Sequence, residues 1–177
     1  LQETPLLPLA TLITHWLMPL SIVLIVERRD LSTLGLIVKR TDVGKYVGYA
    51  LLGLVLPTLI LGVDRTLAID FVEQIVQIGV AEEVFFRGYL LHRLVEWRGN
   101  WTGLTLGAIT FGIAHIVSRI SQHGLAYPLH DVGLGFQPFL GGLLFGYIYL
   151  RAKDVVPGAI LHASTNLYLE RLFEIIE

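Results

Sequence analysis

The chain of 177 residues contains no cysteine and a single methionine, Met18. The lack of cysteine excludes disulfide bonds, thiolate nucleophiles and cysteine-ligated metal sites, but it says nothing about the cellular compartment. Because the chain opens on Leu1 rather than on methionine, we expect its natural N-terminus to have been trimmed. No signal peptide is recognisable: the apolar stretch 6–26 lacks a basic segment before it and is more typical of a membrane span.

Charge is also scarce. Charged residues make up 16% of the chain, against about a quarter in average globular domains. Hydrophobic residues make up 54%, and the mean hydropathy is +0.65. The net charge is −2, with no long basic or acidic run, so nucleic acid is not expected as a partner. This composition predicts a helical bundle whose partner is the lipid bilayer.

Apolar segments long enough to span a bilayer, which takes about 20 residues, recur along the sequence. The fold class predicted is therefore all-α, a polytopic transmembrane bundle of about six helices forming one domain over residues 1–177. Asn100 is expected to cap the fourth helix, and Pro157 falls in the first turn of the sixth, where its missing N–H costs little. The expected spans are 5–26, 46–63, 67–97, 101–118, 132–150 and 155–173.

The basic residues predict an orientation for these spans, because cytoplasmic loops are enriched in lysine and arginine. Nine of the 13 fall on one side, five of them in the polar connector 27–45. Three fall on the other side, and Arg87 lies within a span. We therefore expect the connector in the cytosol and the N-terminus outside. Within the connector, 34–38 is apolar enough to lie at the membrane interface.

The third segment carries the sequence Ala-Glu-Glu-Val-Phe-Phe-Arg-Gly at 81–88. Charged side chains within a span are costly and normally serve function or pair with one another. Glu83 precedes Arg87 by four residues, the spacing of a favourable pair on one helix face. Glu82 points about 100° away from Glu83 and has no evident partner. One interpretation is a salt-bridged cluster that only fixes packing. The other is that apolar surroundings disfavour the ionised form of Glu82 and make it a stronger general base.

Two further apolar helices carry polar side chains at the same spacing of four. The fourth helix has Phe111 and His115, and the sixth has His162 and Asn166. A lone histidine in an apolar helix is more often a packed core residue than a catalyst, and a polar pair can simply join helices. Polar groups on three such helices nevertheless favour a convergent site. Glycines that would allow the close helix approach are Gly107, Gly112, Gly141, Gly142 and Gly146.

Signatures of other hydrolases are missing. The sequence has no His-Glu-x-x-His zinc motif and no Gly-x-Ser-x-Gly nucleophile motif. Ser164 is two residues from His162, on another helix face, which makes it a poor nucleophile for that base. The histidines and the aspartate of the stretch 122–131 are expected to be solvated loop residues, with a lid as the alternative; they are His123, His130 and Asp131.

Taken in order, Glu-Glu-x-x-x-Arg at 82–87, Phe-x-x-x-His at 111–115 and His-x-x-x-Asn at 162–166 resemble the CAAX protease and bacteriocin-processing (CPBP, or ABI) family. These intramembrane proteases are related to the type II CAAX prenyl endopeptidase. The resemblance covers a motif core at 69–172, whereas the N-terminal helices at 5–63 carry no motif.

The resemblance implies a role for each matching residue. Glu82 matches the glutamate that activates water, assisted by His115, and His162 with Asn166 match the pair that holds the oxyanion. Glu83 and Arg87 match supporting residues, as does Phe111. No cofactor is expected; zinc held by Glu82, His115 and His162 is the alternative, because two histidines and a glutamate form a known catalytic zinc set.

The sequence thus predicts a membrane-embedded endopeptidase that cleaves membrane-associated or CAAX-like substrates, peptides or lipidated proteins, in a multi-pass protein of a prokaryotic plasma membrane. Two alternatives stay open at this point. One is a non-catalytic bacteriocin-immunity or scaffold protein of the same fold. The other is a proton-relay transporter, because intramembrane Glu, His and Arg also mark ion pathways. No inverted repeat, which many transporters contain, is visible.

Overall fold

The computed structural model of the protein describes residues 12–36, 42–61, 66–124 and 128–176. These ranges contain six long helices and no strand, which confirms the all-α prediction. A short 3-10 turn, Leu31–Leu34, lies in the connector between the first two helices. The helices are α1 (12–26), α2 (Val43–Leu61), α3 (67–98), α4 (Asn100–His123), α5 (Pro128–Ala152) and α6 (Val156–Ile176).

The helix ends differ from the predicted ones chiefly around α4. Gly99, at φ 80°, separates α3 from α4, and Asn100 is the first residue of α4. The prediction that Asn100 caps this helix was therefore wrong, because the glycine occupies the capping position. α4 and α5 also extend into the predicted loop 122–131, to His123 and from Pro128. Residues 5–11 and 62–63 of the predicted spans lie outside the described residues.

Helix α3 is not uniformly α-helical. Two π-helical stretches, Gln74–Gly79 and Val84–Leu91, flank one α-helical turn at Val80–Glu83. The two glutamates of the motif lie in that turn, and Arg87 lies in the second wide stretch. Wide turns of this kind occur frequently at functional sites. Hydrophobic periodicity did not predict them.

The distribution of polar groups is the reverse of that in a soluble protein. Large apolar side chains are widely exposed, for example Leu52 at 67% and Leu59 at 77%. Among the described residues, the buried polar or charged side chains are Glu83, Arg87, Asp154 and His162. An apolar exterior around a charged interior suits a bundle whose solvent is lipid.

Of the helices in the described ranges, one is long and apolar enough by itself to cross a membrane, at Asn100–Ser121. Two shorter apolar stretches occur at Ile13–Val26 and Val43–Val55. Helix α3 contains the charged motif at 81–88, and these charged side chains lower its mean hydropathy. The helix nevertheless packs within the bundle.

The connector is packed against the bundle. Leu34 is fully buried, and Gly88 of α3 lies so close that an added Cβ would be 2.2 Å from the Leu34 carbonyl oxygen. Gly35, at φ 68°, accepts a hydrogen bond from the Val155 N–H at 3.2 Å. The expectation that 34–38 lies at the membrane interface stays a prediction; Leu34 is covered by protein, and residues 37–38 lie outside the described ranges.

Ion pairs fix the same connector to the end of α3. Arg29 Nη1 donates to both Glu96 carboxylate oxygens at 2.7 and 3.0 Å. Arg93 Nε donates to Glu27 at 2.9 Å. The connector, the end of α3 and the α5–α6 turn therefore meet at one end of the bundle. These are the three segments that the basic residues assigned to the cytosolic side.

Small residues allow the helices to cross closely. Cβ atoms added at Gly142 and Gly146 of α5 would lie 2.8 and 2.6 Å from Ala108 and Leu104 of α4, and Gly112 is similarly tight at 3.1 Å. The predicted role in close approach is confirmed at these three glycines. It is wrong at Gly107 and Gly141, because a Cβ added at either would lie 3.4 Å from the nearest side chain, an ordinary van der Waals distance.

Candidate active site

The centre of the site is Glu83 of α3, whose side chain is 0% exposed. Its Oε1 lies 2.8 Å from Arg87 Nη1, so the predicted ion pair is present. The same oxygen lies 3.2 Å from His162 Nδ1 on α6. A carboxylate can only accept, so Nδ1 carries the hydrogen of this bond. One buried oxygen thereby joins two of the three sequence motifs.

Glycines at the α3–α6 crossing make this contact fit. A Cβ added at Gly158 would lie 2.8 Å from Glu83 Oε2, and one at Gly79 would lie 2.7 Å from the Ala159 carbonyl oxygen. Side chains at these two positions would separate the helices or displace the carboxylate. Sequence reasoning gave neither glycine a role. The only signal in the sequence is that each glycine lies in an apolar helix four residues before a polar motif residue, Glu83 or His162.

Arg87 is 2% exposed and is surrounded by aromatic rings. Its guanidinium carbon lies 4.1 Å from the Phe111 ring centroid and 5.2 Å from that of Phe145. A cation over a ring face is stabilised by about 0.5–2 kcal/mol. The predicted supporting residue Phe111 therefore contacts the predicted supporting base directly, and the aromatic shell keeps the ion pair away from lipid.

Glu82 lies beside this cluster with its side chain 21% exposed. Its Oε2 is a buried atom with no hydrogen-bond partner among the described residues. The nearest basic atom is His162 Nε2 at 3.9 Å. That separation is too long for a direct hydrogen bond, but it is suited to a water molecule that contacts both atoms. Glu83 Oε2 also has no hydrogen-bond partner among the described residues, but Glu83 pairs through Oε1 with Arg87, whereas Glu82 forms no ion pair with a described arginine or lysine.

His162 is held between two rings. Phe145 stacks on it with centroids 4.9 Å apart and an interplanar angle of 24°, and Phe111 approaches edge-on at 5.8 Å. Because Nδ1 binds Glu83, Nε2 is the nitrogen that faces Glu82. The imidazole therefore bonds Glu83 through Nδ1 and faces Glu82 with Nε2.

His115 lies one aromatic ring away from this centre. Its Nδ1 donates to the Phe111 carbonyl oxygen at 2.9 Å, because a carbonyl can only accept. The neutral ring therefore presents a lone pair at Nε2. The Phe111 and His115 ring centroids are 4.4 Å apart. Within the described part of the chain, no ion pair joins His115 to Glu82, and Phe111 lies between His115 and His162.

Asn166 follows His162 by one turn of α6, and its side chain is partly buried. No described residue hydrogen-bonds its amide, so the N–H groups are available to a ligand. The hydroxyl of Ser164 donates instead to the Ile160 carbonyl oxygen at 2.8 Å, which agrees with its rejection as a nucleophile.

One residue near the motif was not singled out from sequence. His15 of α1 contacts Phe85, with ring centroids 5.4 Å apart, and its Nδ1 lies 2.7 Å from the Thr14 hydroxyl. The contact adds α1 to the wall of the site. The side chains of His123, His130 and Asp131, the alternative lid residues, lie outside the part that the structure describes.

The metal alternative can be tested on geometry. In the described ranges, no group of three His, Asp or Glu side chains is placed to hold one metal ion. Glu82 and His162 are neighbours, and the Phe111 ring contacts the rings of both His162 and His115. The three residues named for zinc are therefore not arranged as a ligand set.

An apolar helical bundle enclosing a buried Glu–His–Arg cluster defines a membrane protein with a polar centre. The chain belongs to the Rce1-like family, described as type II CAAX prenyl endopeptidase Rce1-like, whose match covers residues 64–168. The match contains all three motifs, and it confirms the family resemblance. Members of this family are membrane-integral helical bundles. Membership supports, in general terms, the function of a CAAX-type membrane endopeptidase. Among curated proteins and among solved structures, nothing matches the chain significantly.

Proposed function

We propose that the protein is an endopeptidase that cleaves membrane-associated, CAAX-like substrates with a water molecule activated by Glu82. The observation that carries this proposal is the position of Glu82: its side chain is 21% exposed, unlike the fully buried Glu83, and its unpartnered Oε2 lies 3.9 Å from His162 Nε2. A carboxylate oxygen without a partner in a buried polar centre is costly unless a ligand or water contacts it.

In the proposed reaction, Glu82 takes a proton from the water while the water oxygen bonds to the scissile carbonyl carbon. The carbonyl oxygen becomes an oxyanion. The intermediate then collapses as the C–N bond breaks, and the amine leaves with the proton that Glu82 had taken. One water is consumed, and one carboxyl and one amino terminus are formed. No redox step or co-reactant is needed.

The oxyanion is stabilised by donors on α6. His162 can donate from Nε2 when the ring carries both hydrogens, with Glu83 accepting from Nδ1 at 3.2 Å. Asn166 supplies a second N–H from the next turn. Donors fixed before the reaction stabilise developing charge without reorganisation. In this scheme Glu83 and Arg87 position His162 and do not touch the substrate.

His115 is placed as the second proton-handling group. Its Nδ1 hydrogen is committed to the Phe111 carbonyl oxygen, so its Nε2 accepts a proton. Since no direct contact joins it to Glu82, a second water completes the link between them. The assignment of His115 as an assistant rather than as the primary base rests on this separation.

The reaction needs no metal in this proposal. The support is the spacing of Glu82, His115 and His162, which does not match a ligand set. A glutamate that served as a zinc ligand would also leave no second carboxylate as base, because Glu83 is engaged by Arg87 and His162.

The test is cleavage of an internally quenched, prenylated CAAX peptide by the protein purified in detergent. We expect turnover by the wild type and none by Glu82→Gln, because the amide keeps the shape but is not a base. The matched control is Glu73→Gln, an exposed glutamate on the same helix, which should retain wild-type activity. Wild-type turnover by a folded Glu82→Gln variant would end the proposal.

A further inference from the structure

A groove of about 920 Å³ lies on the side of α6 that faces away from His162. It is formed by α2, the end of α5 and α6, and we refer to it as the α2–α6 groove. Representative lining residues are Leu52, Gly53, Ile148, Arg151, Leu161 and Thr165. Arg151 is the one charged residue among those that line it.

The wall of the groove is apolar even where it carries hydroxyl groups. Thr165 donates to the Leu161 carbonyl oxygen at 2.9 Å, and Ser164 donates to that of Ile160 at 2.8 Å. These two hydroxyls are bonded to their own helix, and the other hydroxyls in the wall are those of Tyr49, Tyr147 and Tyr168; most of the remaining wall is apolar. It therefore suits a hydrocarbon chain better than a peptide backbone, which needs hydrogen-bond partners.

The groove has the length of one membrane leaflet. It extends along α6 from Pro157 to Tyr168, about 16 Å at 1.5 Å per residue. Half of the hydrocarbon core of a bilayer is about 15 Å. Arg151 lies at the end of α5, at the same end as Pro157, so the charged residue marks the level of the lipid headgroups.

The charge of Arg151 is available to a ligand. The side chain is exposed, and none of the described residues forms an ion pair with it. Asp154, the nearest acid in sequence, instead accepts hydrogen bonds from the Tyr46 hydroxyl and from the Val156 N–H. An exposed arginine at the cytosolic surface attracts anionic lipid headgroups by about 1 kcal/mol.

We propose that the α2–α6 groove binds an anionic phospholipid, with one acyl chain along α6 and its phosphate at Arg151. The site is distinct from the candidate active site and does not depend on the proposed proteolysis. The acyl chain would lie beside the direct contact of α2 with α6, where Gly53 leaves no room for a side chain against Ser164.

The test is lipid binding by native mass spectrometry in detergent, with dioleoyl phosphatidylglycerol or dioleoyl phosphatidylcholine added. We expect the wild type to prefer the anionic lipid. Arg151→Gln should weaken phosphatidylglycerol binding about fivefold and leave phosphatidylcholine unchanged. The matched control is Arg98→Gln, which removes an exposed arginine from the end of α3 and should change neither affinity.

A second pair of variants tests the chain-binding part. Leu52→Trp places an indole over the groove and should weaken both lipids about tenfold, the equivalent of about two buried methylene groups. Leu51→Trp, on another face of α2 and also exposed, should bind as the wild type does. Both changes replace an exposed leucine, so folding should be unaffected.

Two results would overturn the proposal. One is equal lipid affinity within either pair of variants, which would mean that lipid binds elsewhere or without specificity. The other is a raised KM for a peptide substrate in Leu52→Trp with unchanged lipid affinity, which would assign the groove to the apolar part of a substrate.

Discussion

The buried pair of Glu83 and Arg87 offers the most quantitative test of the structure. Glu83→Ala leaves Arg87 in an environment where it is 2% exposed, with aromatic faces around it and without its carboxylate at 2.8 Å; Glu82 remains as a more distant carboxylate. Removing one side of a buried pair costs about 3–5 kcal/mol, because the remaining charge is uncompensated. Arg87→Ala leaves Glu83 with His162, at 3.2 Å, as its one remaining partner among the described residues, and we expect a cost in the same range.

The double change removes both charges and should cost less than the sum of the singles. Contacting residues in one network typically show coupling of about 0.5–3 kcal/mol, and the full burial of this pair places it at the upper end. The assay is unfolding of the purified variants by SDS in mixed micelles, followed by circular dichroism. Glu73→Ala, an exposed change on the same helix, should shift stability by less than about 0.5 kcal/mol. Additivity of the two single changes within about 0.5 kcal/mol would show that the pair does not interact.

Three further predictions concern catalysis, metal and pH. Asn166→Ala should lower kcat about a hundred- to a thousandfold with little change in KM; the reverse pattern in steady-state kinetics would make Asn166 a substrate-binding residue. Activity should survive prolonged EDTA or phenanthroline, with less than one equivalent of metal by elemental analysis, whereas zinc-restored activity would make Glu82 a ligand. Hydrogen bonds from Arg93 hold the pKa of Glu27 below its usual value. Because the folded pKa is the lower one, the pair stabilises the protein above the unfolded pKa of about 4.3, and this contribution is lost as the pH falls through the folded value. Glu27→Gln should therefore reduce the loss of stability on acidification by about 0.2–1 kcal/mol, and identical acid unfolding curves would refute the link.

The sequence predicted that motif residues on separate helices come together because the polar residues are so few, and Glu83, Arg87 and His162 do so. In apolar helices, each of Glu83, Arg87 and His162 needs a buried partner, and the other motif residues are the available ones. The ion pair of Glu83 with Arg87 follows from a spacing of four. It is present although Val84–Leu91 is π-helical, since the two side chains are long enough to meet across a wider turn.

The partner of His162 could not be predicted in the same way. The sequence predicted a pair between Glu83 and Arg87 alone, and the family resemblance implied that His162 holds the oxyanion. In the structure, His162 Nδ1 binds Glu83 and Nε2 faces Glu82. Which carboxylate meets which nitrogen depends on the rotation of α6 about its axis relative to α3. That rotation is set by packing between helices that are 79 residues apart at this contact, and no local pattern encodes it.

Gly158 shows what sets this rotation. The Cβ of any side chain at this position would lie 2.8 Å from Glu83 Oε2. Helix α6 can therefore approach the carboxylate this closely only where it has a glycine. His162 lies four residues further along the same helix, and it therefore faces α3 at the depth of Glu83. A Cβ added at the adjacent Gly79 would lie 2.7 Å from the Ala159 carbonyl oxygen, so this glycine also permits the close approach of α3 to α6. A glycine in an apolar helix resembles any other small packing residue when read in sequence. Here the glycine allows His162 to bond Glu83 and to face Glu82. The different roles proposed for Glu82 and Glu83 depend on this arrangement.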